Sequence, residues 1–281
     1  MCLACDMDVS GLSAIEQTAL LTEYCRALDS RAARPILGDP LADATVRNID
    51  FDFSGLAATP SVVALVALRA KMLDERIRGF IAKNPEAVVV DIGAGFNSAA
   101  LRVDPPATVD WYSVDLPRVI AVRQTLLPPS LGDQRVATSL LEPGWADAIP
   151  AGRPTMVFAD GLVAFLNEAE FIAILAGIAG HFGSGVIAFN DYGPVSKANQ
   201  VMGRLATSRK TNSPHSQWRF PGFKDARHPE GWHCGLELLE EASVMQQPEA
   251  QLFPTGLRLA SRLSHRLPAI ARKARILQYR F

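Results

Sequence analysis

The chain has 281 residues, 48% hydrophobic and 20% charged, which is enough apolar material for one large buried core and excludes an intrinsically disordered segment of this length. Its 28 basic and 29 acidic residues leave a formal net charge of -1, so nothing in the overall balance attracts nucleic acid or an anionic membrane. Cys2, Cys5, Cys25 and Cys234, without a leader-like N-terminus, point to reduced thiols in a cytoplasmic setting, and the most apolar stretch is broken by Gly177, Gly180, His181 and Gly183, so no membrane span is expected.

In chain order, residues 13–28 place Ile15, Ala19, Leu20, Tyr24, Ala27 and Leu28 at helical spacing, and Pro35 and Pro40 then interrupt the pattern. A second long helix is predicted over 61–82, opened by Pro60 with Ser61 as cap or first turn. Residues 87–92 are apolar on both faces, the mark of a central parallel strand. Strands at 109–114, 135–139, 155–159 and 185–189 then alternate with helices at 117–127 and 168–181, which argues for a doubly wound α/β sheet.

Residues 194–232 are polar and rich in Pro, Asn, Ser and Arg, so they read as an irregular insertion at the ligand-facing end. Beyond it a helix is predicted over 236–245 and a strand over 275–281, closing the sheet as an antiparallel hairpin. The reading is one domain of 1–281: a helical annex (1–84), a ligand-binding core (85–193), a lid or substrate segment (194–235), and a C-terminal helix with closing strands (236–281).

The strongest local signal is Val88-Val89-Val90-Asp91-Ile92-Gly93-Ala94-Gly95, a buried strand that ends in a carboxylate and turns through two glycines. Glycine lets backbone approach a ligand at the carboxyl end of such a strand. A dinucleotide would want a third glycine where Ser98 stands, and Asp91 disfavours a pyrophosphate. S-adenosylmethionine carries an ammonium and a sulfonium and no phosphate, so it suits Asp91 better. Asp115, ending the next strand, can accept from two ribose hydroxyls, or can act as an N-cap for the helix from Pro117; both can hold together.

Arg69 with Asp74, Asp91-Ile92-Gly93-Ala94-Gly95, Asp115-Leu116-Pro117-Arg118-Val119, Ser139-Leu140-Leu141-Glu142-Pro143-Gly144-Trp145 and Ala159-Asp160-Gly161-Leu162-Val163-Ala164-Phe165-Leu166 occur in that order. In this set the chain resembles the leucine carboxyl methyltransferase superfamily, and within it the bacterial polyketide O-methyltransferase branch. The resemblance implies a Rossmann-like class I methyltransferase fold with a seven-stranded, mostly parallel sheet, an N-terminal helical annex and a lid insertion. It implies S-adenosyl-L-methionine as methyl donor, S-adenosyl-L-homocysteine as product, and a small polyketide-like acid as acceptor. By the same resemblance Arg69 grips the methionine carboxylate, Gly93 and Gly95 form the cofactor loop, and Asp115 with Leu116 meets the ribose. Ser139 and Leu140 enclose adenine, and Asp160 with Gly161 stands by the methionine part.

Three positions depart from the family pattern: Asn97 stands in a loop that usually reads Gly-x-Asp-Thr-Arg, Asp160 replaces a glutamate, and Phe165 replaces a tyrosine. They keep open a module that holds the cofactor without turnover, beside methylation of a protein C-terminal carboxylate.

A carboxylate acceptor needs no general base at neutral pH, whereas a phenol with a pKa near 10 does. His215, His228 and His233 lie in or beside the insertion and are the candidate bases, with His233 and Tyr24 the catalytic candidates carried forward. Tyr24, Arg26, Phe165, Trp218, Arg219, Trp232 and His233 are the candidates for an acceptor site. Phe220 and Phe223 either wall a flat ligand or pin the segment to the core. No metal is expected, because acids and histidines do not fall at ligand spacing and Cys2-x-x-Cys5 lacks further ligands. Arg258, Arg262, Arg266, Arg272 and Lys273 make the last forty residues basic, a surface that could face an acidic carrier protein or simply be solvated.

Overall fold

The structure is a computed structural model that describes residues 7–9, 11–128, 133–194, 218–232 and 234–281. Two apolar layers sandwich a seven-stranded sheet. Its strands are β1 (Val88–Ile92), β2 (Asp110–Asp115), β3 (Asp133–Ala137), β4 (Thr155–Ala159), β5 (Gly185–Asp191), β6 (Glu237–Ser243) and β7 (Arg275–Arg280), in the spatial order β3-β2-β1-β4-β5-β7-β6. The first five are parallel, and β7 lies antiparallel between β5 and β6. Every residue of β1 and β4 is buried, as two-sided apolar runs require.

The annex supplies α1 (Thr18–Ser30), α2 (Pro40–Arg47) and α3 (Pro60–Lys83). Pro40 begins α2, with Asp39 accepting from the Leu41 and Ala42 amides as its cap. Thr59, not Ser61, caps α3, and Pro60 occupies its first turn. Within the core α4 (Ala99–Val103) follows the glycine loop, α5 (Pro117–Leu126) follows β2, and α6 (Glu168–Phe182) opens with an Asn167–Glu170 capping box.

The C-terminal part corrects two expectations. Residues 237–243 form a strand, not a helix: β7 offers an open edge, and Glu237, Glu240 and Glu241 meet Arg280, Arg76 and Arg275. This Leu- and Glu-rich segment has helical propensity, and tertiary pairing overrides it. Strands β6 and β7 pair antiparallel but are not a tight hairpin, because residues 244–274 intervene with α7 (Thr255–Ser264) and α8 (Pro268–Ala271). Among the described residues no helix is long and apolar enough to cross a membrane.

Candidate active site

The ends of β1, β2, β4 and β5 meet annex helices α1 and α3 around a cavity of about 400 Å³ with mostly apolar walls. Gly93 and Gly95 adopt φ of 68° and 51°, and a Cβ on Gly93 would press within 3.1 Å of Leu162, so this loop holds the cavity open where side chains would fill it. Its carbonyls are tied from beneath by buried Arg123, whose Nη1 donates to Asn97 O at 2.6 Å and Gly95 O at 3.1 Å. Asp115 anchors the loop from the other side: Oδ2 accepts from Gly95 N and Oδ1 from Leu116 N, each at 2.7 Å. Leu116, not Asp115, occupies the N-cap position of α5. Burial raises the Asp115 pKa against these amides and Arg123. A carboxylate with one amide on each oxygen retains lone pairs for further donors.

The loop lacks its own acid–base pair, and charges arrive from elsewhere. Arg102 on α4 donates to Asn97 Oδ1 at 3.1 Å, to Asp39 at 2.9 Å and to Asp74 at 2.8 Å, while Ser98 Oγ donates to Asp39 at 2.5 Å. Burial opposes ionisation of Asp39, but Arg102, Ser98 and Arg26 outweigh it and hold the carboxyl below the usual range. Annex and glycine loop are therefore joined by a buried ionic knot.

Next to Asp160 at the end of β4 lies a second buried charge cluster. Arg69 Nε lies 2.6 Å from Asp160 Oδ1, Arg26 Nη1 lies 3.7 Å from Oδ2, and Arg26 Nη2 pairs with Glu23 at 2.6 Å. Arg69 Nη1 also donates to the Tyr192 hydroxyl. Yet Arg69 Nη2 is buried without a hydrogen-bond partner, and Asp160 meets its arginines only as ion pairs, neither oxygen accepting a well-aligned hydrogen bond. Buried groups of this kind are normally satisfied, so the cluster is built for a ligand carrying both charges. Gly161, whose amide donates to Asn190 Oδ1 at 2.6 Å, keeps the approach to Arg69 clear, since its Cβ would lie 3.1 Å from Nη2. Burial pushes the nearby Cys25 thiol up to about 11 against the pull of Arg69 and Arg26, so it is no competing thiolate nucleophile.

Tyr192 links this cluster to an aromatic wall, its ring stacking on Trp218 with centroids 4.4 Å apart. Arg219 lines the same cavity and pairs with Glu170 at 3.0 Å. A clamp from β7 holds this segment in place. Arg275 donates to Asp191 Oδ2 at 2.8 Å and to Phe223 O at 2.6 Å, Phe223 N donates to Asp191 Oδ1 at 3.2 Å, and Tyr279 donates to Ala226 O at 2.6 Å. Gly222 lies so close to the Gly193 carbonyl that it has no room for a Cβ, and a Cβ on Gly193 would run into the Arg272 carbonyl.

The structure brings together Arg69, Gly93, Gly95, Asp115, Leu116, Ser139, Leu140, Asp160, Gly161, Arg26, Phe165, Trp218 and Arg219 on the cavity wall. Arg26 belongs to the buried charge cluster and not to an exposed acceptor surface. Four expectations are corrected. Asp91 lies beneath the loop and not on the wall: it is 1% exposed, Oδ1 has no partner, and Asn97 approaches Oδ2 at 3.5 Å. Tyr24 packs on Phe53 at 4.9 Å, because two residues along α1 from Thr22 or Arg26 is about 200° around the helix, away from the cavity. Trp232 packs edge-on to Phe171 in the core, and Phe220 and Phe223 are core residues too. His228 is exposed beside Glu168 and is not on the wall, while His215 and His233 lie outside the described residues, as do Cys2 and Cys5. Sequence reasoning missed Tyr192; the rule that found Asp91 and Asp115, chemistry at the end of a parallel strand, also covers the residue after β5.

A β3-β2-β1-β4-β5-β7-β6 sheet with a glycine loop after β1 and an acid ending β2 defines a class I S-adenosylmethionine-dependent methyltransferase. Residues 19–179 match the leucine carboxyl methyltransferase family model. Tetracenomycin polyketide synthesis O-methyltransferase TcmP of Streptomyces glaucescens is 34% identical over 241 residues, covering 84% of this chain and 86% of that one. The S-adenosyl-L-methionine-dependent methyltransferase dpfgK of Gibberella zeae is 28% identical over 204 residues, covering 66% and 68%. Among solved structures, magnesium protoporphyrin IX methyltransferase of Synechocystis PCC 6803 with bound SAH aligns at TM-score 0.49 and 12% identity, covering 82% of this chain and 88% of that one. The chain belongs to the leucine carboxyl methyltransferase family and is an S-adenosylmethionine-dependent O-methyltransferase.

Proposed function

We propose that this enzyme methylates a carboxylate oxygen of a small, flat, polyketide-like acid. The observation that carries this is the stacked Tyr192–Trp218 pair on the wall of an apolar cavity, joined through the Tyr192 hydroxyl to Arg69 and flanked by Arg219. The name of the Streptomyces relative, a polyketide synthesis O-methyltransferase, supports the same acceptor class. Arg69 Nη2 would take the α-carboxylate of the cofactor, in line with its unmet donor, and Asp160 the α-ammonium. Asp115 would accept from the ribose, and Ser139 and Leu140 would enclose the adenine.

When bound, S-adenosylmethionine supplies a methyl group on a sulfonium. The chain's own contribution is placement in line, exclusion of water by the Leu162, Phe165 and Trp218 walls, and retention of the acceptor anion. A carboxylate is already ionised and requires no base from the cavity wall. We also infer a cytoplasmic setting, supported by the free buried thiols Cys25 and Cys234.

Incubation with aromatic polyketide acids, followed by mass spectrometry after mild base, tests the reading. A base-labile methyl ester is expected; a base-stable ether, or methylation only of peptides bearing a free C-terminus, would overturn it.

A further inference from the structure

The excursion between β6 and β7 carries a surface that methyl transfer itself does not use. Helix α7 and its continuation repeat Arg258-Leu259, Arg262-Leu263 and Arg266-Leu267 every four residues. At about 100° per residue this lays an arginine row beside a leucine row on one outward face. The opposite side is fixed to the body, with Ser261 and Ser264 buried and Ser261 Oγ donating to Met245 O at 2.6 Å. Leu259, Leu263 and Leu267 are 58%, 41% and 47% exposed, three of the six large hydrophobic residues that stand out in solvent among those described.

Charge on this face is one-sided. From residue 252 to the C-terminus there is no Asp or Glu. Among the described residues, Arg258, Arg262, Arg266, Arg272 and Lys273 form no ion pair, whereas Arg275 and Arg280 are paired with Asp191, Glu241 and Glu237. Three unpaired arginines beside three exposed leucines, with Arg272 and Lys273 adding charge past α8, complement a surface on which carboxylates and apolar groups repeat at helical spacing.

Position adds a reason for such a partner. Arg275 stands opposite Asp191 and Ser243, which puts both ends of the excursion at the end of the sheet where β1, β2 and β4 open into the cavity. The Arg272 carbonyl touches Gly193, at the start of the chain leading to the aromatic wall. The excursion that carries α7 therefore leaves and rejoins the sheet at its cavity end, although no residue of α7 lines the cavity itself.

We propose that the arginine–leucine face of α7 docks a small acidic helical carrier protein, which brings the acceptor to the cavity. The alternating rows favour a protein over a bilayer: guanidinium groups and leucines lie side by side at one level, matching a helix ridge, whereas an interfacial helix sinks a continuous apolar face below its charges. The proposal rests on the polyketide reading of the acceptor, and since a carrier's thioester takes up the chain-end carboxyl, the oxygen methylated on a carrier-bound acceptor is a second one.

The test is direct binding of the full chain to a purified acyl carrier protein, measured by calorimetry without turnover. Micromolar affinity is expected, weakened about tenfold or more between roughly 50 and 200 mM salt. Arg262→Glu with Arg266→Glu, and separately Leu259→Ser with Leu263→Ser, should each weaken it by a similar factor while S-adenosylmethionine affinity and melting temperature stay unchanged. No carrier binding, or binding indifferent to both double variants, overturns the proposal. So does association with phosphatidylglycerol vesicles, but not with the carrier, that the same variants abolish.

Discussion

The two halves of the cavity are held by different means. The cofactor half is built of charge: Arg123 and Asp115 grip the loop backbone, and Arg69 and Asp160 keep buried polar atoms without a hydrogen bond. The acceptor half is built of aromatic packing, with Trp218 laid on Tyr192 and the segment behind it fastened by Arg275, Asp191 and Tyr279 from the C-terminal strands. Polar groups waiting for a ligand fix its identity, because only matching charges repay their burial. A packed wall anchored at its base can change its facing side chains without disturbing the cofactor.

If that division is correct, damage to one half should leave the other measurable. The largest effect is expected from Arg69→Ala, which leaves Asp160 buried without its nearest cation; S-adenosylmethionine affinity should fall by about 2–5 kcal/mol in calorimetric titration. Asp115→Ala removes the acceptor of two loop amides and should weaken the same binding by about 1–3 kcal/mol, with a smaller effect for Asp115→Asn. On the other side, Arg275→Met should raise the acceptor KM several-fold while cofactor affinity changes by less than about 0.5 kcal/mol, as for sites without shared partners. A comparable loss of cofactor affinity in that variant would mean that the two halves are not separate.

The smallest effect concerns Asp91. Burial lifts its pKa well above the usual carboxylate range, opposed mainly by Arg123. The native state therefore holds this proton more tightly than the unfolded chain does. Stability from the protonated form is full below the unfolded pKa and is lost as pH rises through the folded one. Asp91→Asn should thus melt higher than the parent protein at neutral pH without cofactor, and the gain should shrink in acid; a gain that grows in acid would contradict this account.

Much of this was legible in the sequence because buried parallel strands announce themselves: the predicted strand at 155–159 agrees residue for residue with β4, and that at 87–92 misses β1 by one residue. Strand-end chemistry was equally visible in Asp115, whereas Asp160 came only from the family resemblance. What failed depended on the third dimension. Tyr24 and Arg26 are neighbours in sequence yet face opposite sides of α1, and Trp232 belongs to a core whose Phe171 partner is sixty residues away. Helix α7 is strongly patterned but was not predicted, because its buried side carries Ser261 and Ser264 while Leu259 and Leu263 stand in solvent, so apolar spacing points to the wrong face. The strand at 237–243 required β7 as partner before it could be told from a helix.

The knot of Asp39, Ser98, Asp74 and Arg102 also bears on how this protein can be dissected. Its members come from the turn before α2, the glycine loop, α3 and α4, so the N-terminal helices are not a cap that can be trimmed away. A fragment starting near residue 85 would begin with Arg102 stripped of both carboxylates and the cofactor loop untethered. The smallest autonomous folding unit therefore extends upstream at least to Asp39, and limited proteolysis should find no stable core that begins after it.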